Sequence, residues 1–229
     1  MNSNHIILKT KALNKHFQDG ASVTHAVSDV NLSISEGEYL SLTGESGSGK
    51  STLLAMLGLI EQPTSGAVFL AGVDTTPLST QAKAAIRNKY LGFVFQSFHL
   101  VPTLSVYDNV ALPLRYSSNI PVSDHEKATL HVLELLGIKD LALKRPDKLS
   151  GGQQQRVAIG RALVTSPKLI LADEPTGNLD SKNSDIIKGL LNEIHQMGTT
   201  IIVVTHEPAF AALAQRQINM VNGQIQSAR

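Results

Sequence analysis

A chain of 229 residues with a formal charge of +1 can bury the core of one α/β domain, and its charge balance gives no reason to expect nucleic acid as a partner. It holds no cysteine, which excludes disulfides, thiolate metal sites and a cysteine nucleophile and fits a reducing compartment. The first eight residues lack the basic and long apolar segments of a signal peptide, and the longest apolar runs, at 53–60 and 201–204, fall short of the ~20 residues that span a bilayer. A cytoplasmic chain is expected, with any membrane role supplied through a partner.

In chain order, residues 6–8 and then Val27, Val30, Leu32 and Ile34 alternate with polar positions and predict half-buried antiparallel strands, with Phe17 between them. Residues 38–43 read as a short strand and residues 53–60 as an apolar helix. Between them Gly44-Glu45-Ser46-Gly47-Ser48-Gly49-Lys50-Ser51-Thr52 fits the phosphate loop G-x-x-x-x-G-K-[ST]. Backbone N–H groups of such a loop cradle phosphates, the lysine neutralises them, and the hydroxyl that follows meets Mg²⁺. The loop runs into a helix N-terminus, where unpaired N–H groups and the helix dipole favour an anion. Residues 66–70 extend the antiparallel sheet, 79–88 predict a polar surface helix, and 90–95 a buried strand ending at Gln96.

Residues 97–148 change to a helical pattern and read as an inserted subdomain. Ser105 is the expected N-cap of a helix over 106–112 that Pro113 limits. Ser123 with Glu126 predicts a capping box, Leu130, Leu133 and Leu136 an apolar stripe, and Gly137 a stop. Short apolar strands return at 169–172 and 201–204, flanking a helix over 184–197. The strands at 218–221 and 224–226 turn on Asn222-Gly223, a strong hairpin signal.

The strand at 169–172 runs into Asp173-Glu174-Pro175. Consecutive strand side chains face opposite ways, so the two carboxylates take different tasks: Asp173 toward Mg²⁺, and Glu174 toward the water that attacks the γ-phosphate. With parallel strands, Gly44, Gln96, Asp173 and His206 all emerge at one sheet edge, where open α/β sheets bind ligands. Gln96 is then a candidate to offer its amide oxygen to Mg²⁺ or the attacking water, and His206 to hydrogen-bond the γ-phosphate. Leu149-Ser150-Gly151-Gly152-Gln153 opens a helix over 154–164 with Ser150 as N-cap, a second helix terminus able to meet an anion. Its target is left open: the same phosphate, another ligand, or the nucleotide of a second copy.

Taken together, the phosphate loop, Gln96, Leu149 to Gln153, the strand leading to Asp173 and Glu174, Gly177-Asn178-Leu179-Asp180 and His206 resemble the ATP-binding cassette ATPases in composition and order. The resemblance implies a P-loop NTPase (RecA-like) core over 1–96 and 149–229, carrying an N-terminal antiparallel β subdomain, with the helical subdomain inserted at 97–148. It implies a head-to-tail dimer holding two ATP molecules, each between one copy's phosphate loop and the other's Leu149, Ser150, Gly151, Gly152 and Gln153, with Asp180 coupling the two sites. Phe17 is the candidate for the aromatic residue that stacks on adenine, where the family more often has tyrosine; stacking needs only the ring face. The stretch at 92–114 and the run 173–180 look like the bacterial ATPases of the lipoprotein-releasing and macrolide-export type. Their membrane partners are separate permeases at the inner membrane. Phe98, Leu100, Val101 and Leu104 form an apolar stretch expected to receive the permease. A nucleotide-dependent scaffold, similar to the division-associated ATPase of that subfamily, is the alternative. A soluble cassette protein of DNA repair or translation fits less well, because neither a long coiled-coil insertion nor a second cassette is present.

Overall fold

The computed structural model describes residues 5–20 and 22–226; four of the leading residues read for a targeting segment lie outside that range. Its centre is a six-stranded sheet. The strands are β4 (Tyr39–Thr43), β7 (Leu91–Phe95), β8 (Leu169–Asp173), β9 (Thr200–Val204), β10 (Arg216–Val221) and β11 (Gln224–Gln226), in the order β11-β10-β4-β9-β8-β7. Every pairing is parallel except β10 with β11. That hairpin turns on Asn222 and Gly223, both at positive φ (47° and 79°), as a tight two-residue turn requires.

The period of two along each strand sorts its side chains into two separate cores. Ile170 and Ala172 of β8 and Ile201 and Val203 of β9 pack on one face, with α3 (Val106–Ala111), α4 (His125–Leu135), α5 (Gly151–Leu163) and α6 (Ser181–Gln196). Leu169, Leu171, Ile202 and Val204 pack on the other, against α1 (Lys50–Leu57) and an antiparallel sheet. That second sheet has β1 (Ile6–Asp19) between β2 (Ser22–Val30) and β5 (Ser65–Leu70), with β6 (Val73–Asp74) beyond β5 and β3 (Ser33–Ser35) paired to β1. Because both faces of β4, β8 and β9 are covered, these strands are buried almost throughout, and 169–172 and 201–204 read as unbroken apolar runs.

Several boundaries differ from the sequence expectation. β1 continues past Leu8 to Asp19 and takes in Phe17; it pairs with β2, β3 and β5, its register shifting around Lys15 against β2 and between Lys11 and Asn14 against β5. Its second half is solvated on both faces, so no alternation marks it. The helix after the phosphate loop begins at Lys50, because its first turn is built from polar residues that an apolar search passes over. Tyr90 closes α2 (Thr80–Tyr90) and lies outside the strand. α5 and α6 begin three residues earlier than expected, behind Ser150 and Asp180 as N-caps.

Ser123 and Glu126 form no capping box. Pro121, at φ −59°, starts a 3₁₀ turn over Val122–Asp124, and α4 begins only at His125. The Ser123 hydroxyl instead donates to Asp124 at 3.3 Å. The stop at Gly137 is a Schellman motif: Ile138 N–H bonds the Leu133 carbonyl at 2.9 Å and Gly137 N–H bonds that of Glu134 at 3.0 Å.

Candidate active site

β4 delivers the loop at residues 44–52 to the carboxyl edge of the parallel sheet, and backbone crowding fixes two of its glycines, Gly44 and Gly49. Gly44 (φ +143°) lies where a Cβ would stand 2.3 Å from the Met220 carbonyl oxygen. Gly49 (φ +102°) lies where one would stand 2.0 Å from that of Ala26. The loop is thus threaded between β10 and β2, and Gly223 N–H ties it at the Ser48 carbonyl (3.0 Å). Lys50, 7% exposed, directs its ammonium to the carbonyls of Gly44 (2.9 Å) and Glu45 (2.7 Å).

These residues wall a cavity of about 480 Å³ together with Thr24, His25, Ala26, Glu174 and His206. Asp173 closes β8, and its carboxylate accepts from the Ser51 hydroxyl at 3.2 Å. Burial pushes its pKa up; the Ser51 hydrogen bond opposes this, nearby Glu174 adds to it, and Lys50 lowers it. Glu174 has left the strand at φ +43°, a left-handed conformation that costs a non-glycine residue about 1–3 kcal/mol and that collects at functional sites. Its carboxylate lies 3.3 Å from His206 Nδ1. The two adjacent carboxylates separate, one to Ser51 and one to His206, at the turn where Glu174 leaves β8 rather than by alternation along the strand.

The parallel registers Leu42↔Val204, Asp173↔Val204 and Phe95↔Asp173 bring Gly44, Gln96, Asp173 and His206 to one edge. Gln96 is not on the cavity wall. Its amide donates to Asn178 Oδ1 (3.3 Å), and Asn178 returns a bond to the Gln96 carbonyl (3.1 Å). Phe17 is also off the wall and 44% exposed, with the Lys15 ammonium 4.9 Å from its ring centroid. It stands directly across from Thr24, which is on the wall. The contributions of Thr24, His25 and Ala26 were not foreseen, since polar positions on a half-exposed strand carry no signal of their own.

Leu149 to Gln153 lie away from this cavity. Ser150 and Gln153 make a reciprocal capping box: Gln153 N–H donates to Ser150 Oγ (3.3 Å), and Ser150 N–H donates to Gln153 Oε1 (2.9 Å). The terminus abuts Asn178, Leu179 and Asn183 of the same chain. Asp180 accepts from Asn183 N–H at 2.8 Å, which with the Asn183 amide lowers its pKa.

Phe98, Leu100, Val101 and Leu104 are half-buried rather than the open apolar surface expected, and Leu100 packs on the core. Two polar side chains hold that loop in place. Buried Asn109 accepts from Val101 N–H and donates to the carbonyls of Val101, Leu104 and Ser105. Arg161 donates to the carbonyls of Phe98 (2.7 Å) and His99 (2.5 Å), both left-handed residues, and its burial lowers its pKa. Beside them a groove of about 680 Å³ is lined by Phe93, Phe95, His99, Tyr116, Arg87 and Arg161, among others. Among the described residues no helix is long and apolar enough to cross a membrane.

Residues 27–177, well over half of the chain, match the family described as ABC transporter. The chain belongs to the ABC transporter family. Among solved structures of this family, the ATP-binding cassette MJ0796, in a dimeric post-hydrolysis state bound to ADP and Pi, is 39% identical, with 97% of each chain covered and a TM-score of 0.89. A second dimeric structure of MJ0796, described as a bacterial ABC transporter cassette, gives the same values. CbiO1 from Clostridium perfringens, part of the ABC transporter complex cbiONQ, is 31% identical over 98% of this chain and 88% of its own, with a TM-score of 0.84. The chain is the ATP-binding, ATP-hydrolysing cassette of an ABC transporter.

Proposed function

We propose that the chain works as a head-to-tail pair of identical copies at the cytoplasmic face of a bacterial inner membrane, driving a separate permease of the lipoprotein-releasing or macrolide-export type. The observation that carries this reading is the division of the motifs. One cavity gathers the phosphate loop, Glu174 and His206, while Leu149 to Gln153 present a capped helix terminus elsewhere. A second copy completes each site with that terminus, and the dimeric state of MJ0796, 39% identical, supports the pairing.

The ATP phosphates lie in the loop at Gly44, Glu45, Ser46, Gly47, Ser48, Gly49, Lys50, Ser51 and Thr52, and the Lys50 ammonium passes to them from the loop carbonyls. Glu174 takes the proton of the attacking water. His206, in contact with Glu174, hydrogen-bonds the γ-phosphate. Phe17 stacks on adenine from the edge of β1, and Asp180 couples the two sites of the pair. The donor set suits Mg²⁺: the Ser51 hydroxyl and the Asp173 carboxylate adjoin, with Gln96 as a further oxygen donor. No group of three His, Cys, Asp or Glu among the described residues could cage a metal, which matches an ion that relies on phosphate oxygens and water. When bound, Mg²⁺ neutralises charge on the β- and γ-phosphate oxygens. ATP binding closes the pair because each nucleotide bridges both copies, so its affinity differs between open and closed states.

The helical segment at 97–148 carries the permease contact, with Phe98, Leu100, Val101 and Leu104 beside the adjoining groove. Glu174→Gln lowers turnover by about 10²-fold or more while ATP binding is kept. With ATP it elutes as a dimer and, in mild detergent, brings down a permease with a large extracytoplasmic domain. Unimpaired hydrolysis overturns the role of Glu174; recovery of division proteins alone points to a scaffold. Replacing Phe98 and Leu100 with serine abolishes the co-purification, and retained binding refutes the contact.

A further inference from the structure

Two residues beyond Glu174 and one beyond His206, a second set of polar side chains joins the same two turns. Thr176, 3% exposed, donates its hydroxyl to Glu207 Oε1 at 2.7 Å. The other carboxylate oxygen of Glu207 lies 2.7 Å from the Lys188 ammonium, and the Lys188 side chain is only 16% exposed. Lys188 stands on α6, the helix capped by Asp180, with its ammonium 6.0 Å from the ring centroid of buried Phe210. Glu207 N–H is itself held by Thr205 Oγ1 at 3.0 Å. The backbone adds further ties: Glu174 N–H to the Val204 carbonyl and Gly177 N–H to that of Glu174, both at 3.0 Å.

His206 and Glu174, with side chains 63% and 26% exposed, are not fixed by core packing. Their 3.3 Å contact depends on how the two turns are held. We infer that Glu207, gripped by Thr176 and Lys188, is a positioning residue that sets the placement of Glu174 against His206 and ties it to the helix headed by Asp180. The inference rests on the reading of Glu174 and His206 as the hydrolytic pair. Glu207 acts through its neighbours, since it is not on the cavity wall. The geometry also supplies a control. Asp185 reaches the same lysine at 3.4 Å but is 78% exposed and touches neither turn.

The test measures ATPase kinetics and, without nucleotide, backbone hydrogen exchange in Thr176→Val, Glu207→Gln, Lys188→Met, Lys188→Arg, the Thr176→Val/Glu207→Gln double variant and Asp185→Asn. A misplacement near 1 Å costs up to about 10²-fold, so loosening one bond of the brace lowers kcat by about tenfold while KM for ATP stays within about twofold. The double variant falls no further than the worse single variant, because the two share one interaction. Lys188→Arg recovers most of the rate, and Asp185→Asn keeps wild-type kinetics. Exchange at Gly177 and Glu207 quickens by about tenfold in the brace variants. Unchanged kcat in Glu207→Gln, an equal loss in Asp185→Asn, or unaltered exchange overturns the inference. Unimpaired hydrolysis in Glu174→Gln refutes the underlying reading instead, and the nucleotide-free exchange then still decides whether the brace orders the turns.

Discussion

Gly49→Ala tests how the phosphate loop is threaded. Two costs add at this position. The backbone at φ +102° is one that alanine rarely adopts, worth about 1–3 kcal/mol. The new methyl would also stand 2.0 Å from the Ala26 carbonyl oxygen, so reaching ordinary contact moves loop or strand by about 1.4 Å, an overpacking cost of about 1–3 kcal/mol. The total, about 2–6 kcal/mol, lowers Tm by roughly 4–24 °C in a chain of this size. Because Ala26 lines the cavity, the displacement also misaligns the phosphate cradle, and kcat/KM for ATP falls by about 10²-fold. Gly47→Ala is the comparison. Its φ of +78° carries the conformational cost, but a methyl there meets nothing within 4 Å. Urea unfolding and fluorescent-nucleotide titration of both variants isolate the contact. Equal losses of stability and affinity in the two would refute the threading argument.

Other outcomes follow from the caps and the titrating groups. Ser150→Ala removes one half of a capping box and lowers stability by about 1 kcal/mol in urea unfolding. It also weakens ATP-driven dimerisation in sedimentation far more than nucleotide binding to the monomer. The Lys188 hydrogen bond, with that of Thr176, holds the Glu207 carboxyl below its ordinary range, and the Glu207 hydrogen bond holds Lys188 above its own. A lowered carboxyl contributes stability above its unfolded pKa, about 4.3, and loses it as pH falls through the folded value. A raised lysine contributes below its unfolded pKa, about 10.4, and loses it only as pH rises through the folded value. The stability difference between wild type and Glu207→Gln is therefore level from about pH 5 to pH 9 and shrinks below about pH 4. A difference that persists unchanged to pH 2 removes this pair as its cause.

The parallel sheet and its loops were legible because buried strands read as apolar runs that stop at polar residues, as at Gln96, Asp173 and Thr205. The antiparallel sheet was legible only where one face is covered. The outer end of β1 and the stretch Thr24-His25 carry no period, so the part of the cavity wall that Thr24 and His25 form left no trace in the pattern. The helix after Pro121 began later than its polar residues suggested, since a capping pattern shows where a cap is possible and a proline decides where the turn goes. Phe98, Leu100, Val101 and Leu104 read as open apolar surface in the sequence because their half-burial depends on Asn109 and Arg161, which are remote or unremarkable in sequence. The brace of Thr176, Lys188 and Glu207 was invisible for the same reason: three polar residues on separate elements share no spacing.

One helix reaches both of the chain's proposed interfaces. α5 begins behind its N-cap Ser150, the terminus proposed to meet the second copy, and two residues before its end it carries Arg161, which grips the carbonyls of Phe98 and His99 beside the groove. Its 13 residues make a rod about 20 Å long. A push on either end arrives at the other as a tilt of the whole rod, with no loop between to absorb it. In the proposed assembly the cassette would thereby have a lever, one arm meeting the neighbouring copy's nucleotide and the other setting the shape of the surface a membrane partner meets.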